Sequence, residues 1–159
     1  VKLMVERFNG EAGQLIANNG AQTGLRMEEI VTLASIIQRE SLISSERPML
    51  ASVFFNRLNA GMKLETDPTV QYSIGYFTES GSWWKKTLTI SDLSIQSPFN
   101  TYVNYGLPPH PISNPDLDSI KSVLFSSGSP YFYFRADCDG SGSHVFSVTY
   151  EEHLSKSCQ

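Results

Sequence analysis

An apolar stripe with helical spacing in residues 27–41 constrains the fold of this chain more than any other feature. Its members recur at intervals of three and four residues, which is the period of one face of an α-helix. Such a face must be buried against other elements, so the pattern predicts a core helix over 27–41. The stripe consists of Ile30, Leu33, Ala34 and Ile37.

Glu40 lies at the edge of this stripe. Helical spacing places Ile37, Ile36 and Leu33 three, four and seven residues before it. A carboxylate against an apolar wall loses hydration, which disfavours its charged form and raises its pKa. This is the profile of a general acid. The alternative from the same pattern is a helix-terminal side chain that turns into solvent.

Two further helices are predicted over about residues 2–18 and 47–60. Pro48 suits a first helical turn and Gly61 suits a helix end.

The short connection between the helices over 27–41 and 47–60 makes them expected neighbours. This packing brings Asn56 and Arg57 close to Glu40.

The middle of the chain is predicted to contain turns and short helices. Asp67 before Pro68 predicts a helix N-cap, with the helix continuing through Tyr72. Residues 75–87 are predicted to form a loop, and 91–96 one short helix.

Prolines then interrupt regular structure repeatedly. A wall stiffened by proline is one way to hold a groove open at low entropic cost. These residues are Pro98, Pro108, Pro109, Pro111 and Pro115, with Pro130 further on.

The last third carries strand patterns. Residues 114–125 are predicted to form a helix capped by Asn114, with Pro115 in its first turn. Residues 131–135 and 144–148 then form a hairpin with a long polar loop. Helices followed by a small antiparallel sheet predict an α+β fold.

Composition bounds the class of protein. A chain of 159 residues with 40% hydrophobic content can bury one core, so we expect a single domain over 1–159. A net charge of −4 with dispersed lysines and arginines argues against a nucleic-acid partner. The apolar runs are too short to span a bilayer. Because the sequence begins at Val1 within a helical pattern, we expect a fragment of a longer protein.

Cysteine and histidine patterns predict neither a metal site nor a cofactor. Cys138 and Cys158 lack ligand spacing, and the three histidines are scattered. The cysteines form a disulfide if the protein is exported and remain thiols in a reducing compartment.

Several segments in order resemble the YceG-like endolytic murein transglycosylases, over roughly residues 26–153. These segments fall into two groups. The first contains the pattern of the catalytic helix, and the second contains the Asn-Thr-Tyr, Leu-Pro-Pro and Tyr-Phe patterns. The first comprises Leu33–Glu40, Ala51–Leu58 and Gly61–Tyr72; the second comprises Ser97–Tyr102, Gly106–Ile112, Asn114–Pro115, Tyr133–Phe134 and His144–Ser147.

The resemblance implies an enzyme that cuts peptidoglycan glycan strands internally at the outer face of the bacterial cytoplasmic membrane. It implies a membrane anchor and a LysM-like subdomain ahead of this fragment, and membrane peptidoglycan synthases as partners. Glu40 matches the family's catalytic glutamate, while His144 and His153 match family positions that we interpret as structural.

The chain also departs from the family pattern. Gln38 replaces the first glutamate of a Glu-Lys-Glu motif, so Glu40 alone remains as the acid. His110 and Asp116 replace glycines. If the first of these glycines has positive φ, either His110 strains the turn or the local loop differs. The loop 136–143 is also slightly longer than usual.

The predicted mechanism needs one carboxyl group. Glu40 protonates the MurNAc–GlcNAc glycosidic oxygen and then, as carboxylate, deprotonates the MurNAc C6 hydroxyl, which gives a 1,6-anhydro end. The predicted substrate-binding residues are Asn56, Arg57, Asp67, Thr69, Gln71, Asn100 and Tyr102.

Each of these residues has an alternative role. The uncharged side chains could equally form hydrogen bonds with backbone groups. Arg57 could form an ion pair with a nearby acidic residue, and Asp67 could cap a helix. Trp83 and Trp84 suit either sugar stacking or packing. The alternatives for the whole chain are a catalytically silent peptidoglycan-binding scaffold, or a muramidase in which Asp67 is the second carboxylate.

Overall fold

The computed structural model describes residues 1–79 and 81–158. In these residues the chain forms seven α-helices and one two-stranded sheet. In order they are α1 (Lys2–Phe8), α2 (Gln14–Asn19), α3 (Met27–Glu40), α4 (Arg47–Asn59), α5 (Asp67–Ile74), α6 (Leu117–Leu124), β1 (Tyr133–Ala136), β2 (His144–Ser147) and α7 (Tyr150–Ser155).

The α+β prediction is confirmed, with helices first and the small sheet last. The helix predicted over 2–18 is present, although a π-helical turn at Asn9–Gly13 separates α1 from α2. The short helix predicted over 91–96 is a single 3₁₀ turn at Asp92–Ser94.

Helix α3 is the centre of the molecule. Its stripe residues Ile30, Leu33 and Ile37 are fully buried, and Leu50 and Phe54 of α4 belong to the same core. Helices α4, α5 and α6 all pack against α3. The predicted contact between the second and third helical segments is therefore present.

Helix α4 begins and ends as its sequence predicts. Pro48 lies in the first turn, where its missing N–H has no helical partner to lose. At the other end Gly61 takes φ of +64°, while Met62 N–H donates to the Arg57 carbonyl at 2.8 Å. This Schellman arrangement turns the chain toward α5.

Two predicted helix caps are wrong. The N-cap of α5 is Thr66, and Asp67 is the first helical residue. The N-cap of α6 is Asp116, whose carboxylate accepts the Ser119 N–H at 2.8 Å, so Asn114 lies outside the helix. In both cases tertiary contacts of the neighbouring residues decided where the helix starts.

The sheet is an antiparallel pair in which Tyr133 lies opposite Ser147 and Ala136 opposite His144. Ser147 is buried and Phe134 and Phe146 pack onto the main core. The sheet therefore rests on the helical layer by its inner face.

Helix α7 was not predicted. Thr149 is its N-cap, since Glu152 N–H donates to Thr149 Oγ1 at 3.2 Å. Glu152 Oε2 in turn accepts the N–H of Val148, the residue before the cap, at 2.9 Å. That Thr-x-x-Glu pattern is visible in the sequence and marks a helix start.

The two cysteines form a disulfide between Cys138 in the hairpin loop and Cys158 beyond α7. Within residues 1–79 and 81–158, no helix combines the length and apolar character that a bilayer crossing needs.

Candidate active site

Glu40 is the last residue of α3 and faces a cleft of about 390 Å³. The chain leaves the helix at Ser41, which is extended with φ of −126°. The cleft is lined by α3, the α4–α5 connection, the sheet and α7, which come from distant parts of the sequence. The lining residues are Glu40, Arg57, Leu64, Glu65, Asp67, Tyr102, Tyr133, Phe134, Arg135, Ala136, His144, Tyr150 and His153.

The carboxyl group of Glu40 is poorly hydrated although part of the residue remains accessible from the cleft. Burial, reinforced by the negative charge of Asp67 and opposed by the positive charge of Arg57, raises the pKa of Glu40 to about 8. Within the described chain, the carboxyl oxygens of Glu40 make no hydrogen bond or ion pair. A neutral acid with free oxygens suits proton donation to a ligand in the cleft.

Asp67 and Tyr102 form a pair at one side of the cleft. The Tyr102 hydroxyl donates to Asp67 Oδ1 at 2.7 Å. Burial and this hydrogen bond raise the pKa of Tyr102, so the hydroxyl stays a donor. Asp67 therefore acts on Glu40 through its charge and holds Tyr102 in place.

Arg57 is buried beneath the cleft and bound to the polypeptide. Its Nε donates to the Phe132 carbonyl at 2.7 Å, and one terminal nitrogen donates to the Leu64 carbonyl at 2.9 Å. The same nitrogen lies 3.3 Å from Glu65 Oε2, an ion pair that the sequence analysis named as the alternative. Arg57 thus ties the residue before β1 to the α4–α5 connection at the cleft.

The backbone at Glu65 is strained. Glu65 is the only non-glycine residue of positive φ in the described chain, at +51°. Its N–H donates to the Thr101 carbonyl at 3.2 Å, and the next N–H, of Thr66, donates to Thr101 Oγ1 at 3.1 Å. Strained backbone of this kind persists where surrounding contacts overdetermine it, and it is concentrated at functional sites.

Four predicted substrate-binding side chains lie outside the lining of the cleft and bond other protein groups. Their partners are mainly backbone carbonyls: Asn56 Nδ2 donates to Ser129 and Tyr131, Thr69 Oγ1 to Thr66, Gln71 Nε2 to Lys85, and Asn100 Nδ2 to Leu93 and Ile95. Substrate contact by these four stays a prediction, and the bonds favour the alternative that they serve the backbone. Of the predicted set, Glu40, Arg57, Asp67 and Tyr102 come together at the cleft.

His144 and His153 line the cleft, although sequence reasoning interpreted them as structural. The carboxylate of Glu46 accepts a hydrogen bond from the backbone N–H of His144 at 2.9 Å. It also lies within hydrogen-bond distance of His144 Nδ1, at 2.8 Å. His153 lies against Tyr133 and Tyr150, and burial together with the charge of Arg135 lowers its pKa. The match of both histidines to family positions was the sequence feature that could have predicted their place in the cleft.

The departures from the family pattern have simple structural consequences. Gln38 Oε1 accepts the Asp116 N–H at 2.8 Å and so joins α3 to the start of α6. Asp116 caps α6 and pairs with Arg47 at 2.8 Å. His110 is exposed and is not among the residues of positive φ, so its turn is not strained.

Within the described ranges, none of the prolines of this segment lines the Glu40 cleft, although Tyr102 between Pro98 and Pro108 does. Pro108 and Pro109 line a separate cavity. The described residues also contain no cluster of three histidine, cysteine or acidic side chains that would hold a metal ion.

Comparison with known proteins matches this arrangement to one family. The YceG-like family matches residues 1–159, which is the whole chain. The chain belongs to the YceG-like family. A solved YceG-like protein from Listeria monocytogenes superposes with a TM-score of 0.84 at 36% identity, over 97% of this chain and 47% of that one.

Curated relatives in the family are named endolytic murein transglycosylase. The one from Bacillus subtilis is 35% identical over 153 residues, which cover 96% of this chain and 40% of the relative. The one from Streptococcus pneumoniae is 33% identical over 129 residues, which cover 81% of this chain and 23% of the relative. The chain therefore spans less than half the length of these relatives.

Proposed function

We propose that this YceG-like chain is the catalytic part of an endolytic lytic transglycosylase that cleaves the MurNAc–GlcNAc bond of peptidoglycan strands. The observation that carries the proposal is Glu40, a poorly hydrated carboxyl group of pKa about 8 at the cleft, whose oxygens bond no group within residues 1–79 and 81–158. The names of the relatives support the reaction class.

Glu40 acts first as general acid. Its proton goes to the glycosidic oxygen as the C1–O bond of MurNAc breaks, and the GlcNAc portion leaves with a free hydroxyl. Because the pKa of Glu40 is about 8, the acid form predominates at neutral pH.

Glu40 acts next as general base. The carboxylate takes the proton of the MurNAc C6 hydroxyl while that oxygen bonds to C1, which closes the 1,6-anhydro ring and restores the acid. The N-acetyl group of the substrate stabilises the cationic intermediate. No water enters and no second catalytic carboxylate is required, in contrast to a hydrolase.

The neighbouring groups set up this chemistry. Asp67 favours the protonated form of Glu40 through like-charge repulsion, and Arg57 stabilises the carboxylate that forms after proton transfer. Tyr102 presents a hydroxyl beside Asp67 for contact with the sugar. We assign substrate contact to Asp67 and Tyr102, and charge balance to Arg57.

An extracytoplasmic location follows from the same proposal, because peptidoglycan is assembled outside the cytoplasmic membrane. The Cys138–Cys158 disulfide supports it, since disulfides persist in oxidising compartments. A membrane anchor and contact with membrane peptidoglycan synthases complete the proposal for the whole protein.

The test is mass spectrometry of purified, uncrosslinked glycan strands after incubation in ¹⁸O-labelled water. We expect internal cuts that end in 1,6-anhydroMurNAc without ¹⁸O. The Glu40→Gln variant should lose at least about 100-fold in rate, as expected when a general acid is removed. Glu28→Gln, an exposed position at the other end of α3, is the matched control and should keep full rate.

Labelled reducing ends would contradict the proposal and support a muramidase with Asp67 as second carboxylate. Strands left intact by folded wild-type protein would support the scaffold alternative.

A further inference from the structure

Four aromatic side chains form a surface beside the catalytic helix that the proposed chemistry does not use. We call Tyr72, Tyr76, Trp83 and Trp84 the aromatic shelf. Trp83 is 66% exposed, Tyr76 52% and Tyr72 40%. Trp83 and Tyr76 contact each other edge to face, with ring centroids 5.5 Å apart. Exposed aromatic clusters of this kind mark interaction sites more often than ordinary surface.

Hydrogen bonds hold the shelf on α5. Gln71 of α5 donates from Nε2 to the Lys85 carbonyl at 2.9 Å, next to Trp84. Trp84 N–H donates to Ser82 Oγ at 3.2 Å, and the Ser82 carbonyl accepts the Phe77 N–H at 2.7 Å. The loop therefore presents its tryptophans from a braced position.

A cavity of about 430 Å³ opens within the shelf. It is lined by Tyr72, Gly75, Trp83, Trp84 and Ile112, and none of these residues lines the Glu40 cleft. The two concavities are thus separate on the described surface.

Two elements connect the shelf to the cleft. Arg39 precedes Glu40 on α3, and its guanidinium lies 3.9 Å from the centre of the Trp84 ring. Helix α5 carries Asp67 in the cleft and Tyr72 on the shelf, and five residues at the helical rise separate them by about 8 Å along the helix. An extended chain of sugars is long enough to lie across both.

Charge also distinguishes the shelf. Arg39 is exposed and has no carboxylate partner among the described residues. A cation beside aromatic faces suits a ligand that alternates C–H-rich ring faces with acidic groups. MurNAc in a glycan strand has this character, because its lactyl substituent ends in a carboxylate or a peptide.

We propose that the aromatic shelf is a distal glycan subsite, where Trp83 stacks on a sugar ring several units from the scissile bond and Arg39 pairs with a lactyl or peptide carboxylate. The inference rests on the proposed function, since it assigns the occupant as the continuation of the strand that Glu40 cuts. Trp84, partly buried under Arg39, has the packing role, and Trp83 has the ligand role. The shelf makes the enzyme prefer long strands over short ones.

The test measures binding and cleavage separately. Calorimetry with Glu40→Gln protein gives the affinity for glycan oligomers that span the cleft alone and for oligomers that reach the shelf. Adding Trp83→Ala should weaken binding of the long oligomer by about threefold to tenfold, the loss of one aromatic stacking contact, and leave the short one unchanged. In otherwise wild-type protein, the same substitution should raise KM for long strands at unchanged kcat.

Trp83→Phe and Phe125→Ala are the matched variants. Trp83→Phe keeps an aromatic face and should recover most of the affinity. Phe125 is 49% exposed and lines a different cavity, so Phe125→Ala should change neither oligomer's affinity.

Equal affinity of Trp83→Ala and its parent for the long oligomer would overturn the subsite. The subsite would also be overturned if Trp83→Ala lost binding to anionic lipid vesicles while its glycan affinity stayed unchanged. That result would assign the shelf to a membrane surface. Cleavage that does not depend on Glu40, with the Trp83 effect on binding intact, would instead contradict the proposed mechanism and leave the subsite standing.

Discussion

At position 40 one carboxyl group carries both the proposed chemistry and a cost in stability. The ordinary pKa of 4.5 rises to about 8 in the folded chain because the carboxyl group is buried. Between these two values the unfolded chain has released the proton and the folded chain still holds it. Stability therefore falls as pH rises from about 4.5 to 8.

Removing the ionisable group removes this penalty. We expect Glu40→Gln to stabilise the fold by on the order of 4 kcal/mol at pH 8 and to change it little at pH 4, where both states are mostly protonated. Urea unfolding at the two pH values measures the difference. Glu28→Gln is the exposed control, and equal effects of Glu40→Gln at both pH values would contradict a raised pKa.

Asp67 and Tyr102 allow charge and hydrogen bonding to be separated. Asp67→Asn removes the negative charge that raises the pKa of Glu40, so the alkaline fall of kcat/KM should move to lower pH by up to about one unit. Tyr102→Phe removes the hydrogen bond but keeps the charge, so its pH profile should stay in place. Measured profiles that coincide for wild type and Asp67→Asn would exclude the electrostatic role.

At the scale of elements, the start of α6 depends on Asp116. Asp116 accepts the Ser119 N–H as N-cap and both of its oxygens lie 2.8 Å from one terminal nitrogen of Arg47. Burial opposes ionisation here, but the bonds to Arg47 and Ser119 lower the pKa of Asp116. One side chain thus joins α4 to α6.

Asp116→Ala should destabilise the fold by about 2–3 kcal/mol, because it removes a cap and leaves Arg47 buried without its carboxylate. Asp116 is half exposed, so solvent weakens its ion pair with Arg47. The expected loss of stability therefore lies at the lower end of the range for breaking a buried ion pair. Asp118→Ala, which breaks an exposed pair with Lys121 on the same helix, is the control and should cost under about 0.5 kcal/mol. Similar unfolding midpoints for the two variants would show that the Arg47 contact contributes little.

The predicted elements succeeded where the information was local. Gly61 ended α4 through its own backbone freedom, and the stripe of α3 required burial whatever its partner. The caps at Asp67 and Asn114 failed by one and two residues because tertiary contacts of Thr66 with Thr101, and of Asp116 with Arg47, set where the two helices start. Helix α7 was missed even though its N-cap Thr149 and the bonds of Glu152 around it are local.

At the scale of the whole molecule, the Cys138–Cys158 disulfide ties the C-terminal helix to the hairpin loop. Helix α7 brings Tyr150 and His153 to the cleft. The disulfide therefore contributes to the stability of the fold and also holds α7, which supplies two of the residues that line the cleft.

Replacing both cysteines by serine should lower the free energy of unfolding by about 3 kcal/mol, the loop-closure value for a separation of 20 residues. Glycan cleavage should fall with it, since α7 loses its tether. Reductant should reproduce the effect in wild type and add nothing in the double variant, which serves as control. Unchanged cleavage in a folded double variant would show that α7 holds its place without the disulfide.

The sequence alone determined the long helices, the α+β class, the family and the candidate acid Glu40, because periodicity and motif order are local properties of the chain. Only the tertiary structure decided that Glu40 faces a cleft and that Asn56, Thr69, Gln71 and Asn100 bond mainly backbone groups. The physical reason is that desolvation and hydrogen-bond partnership depend on what packs alongside. The groups that surround Glu40 in the cleft belong to α4, α5, the sheet and α7, and only folding brings these elements together.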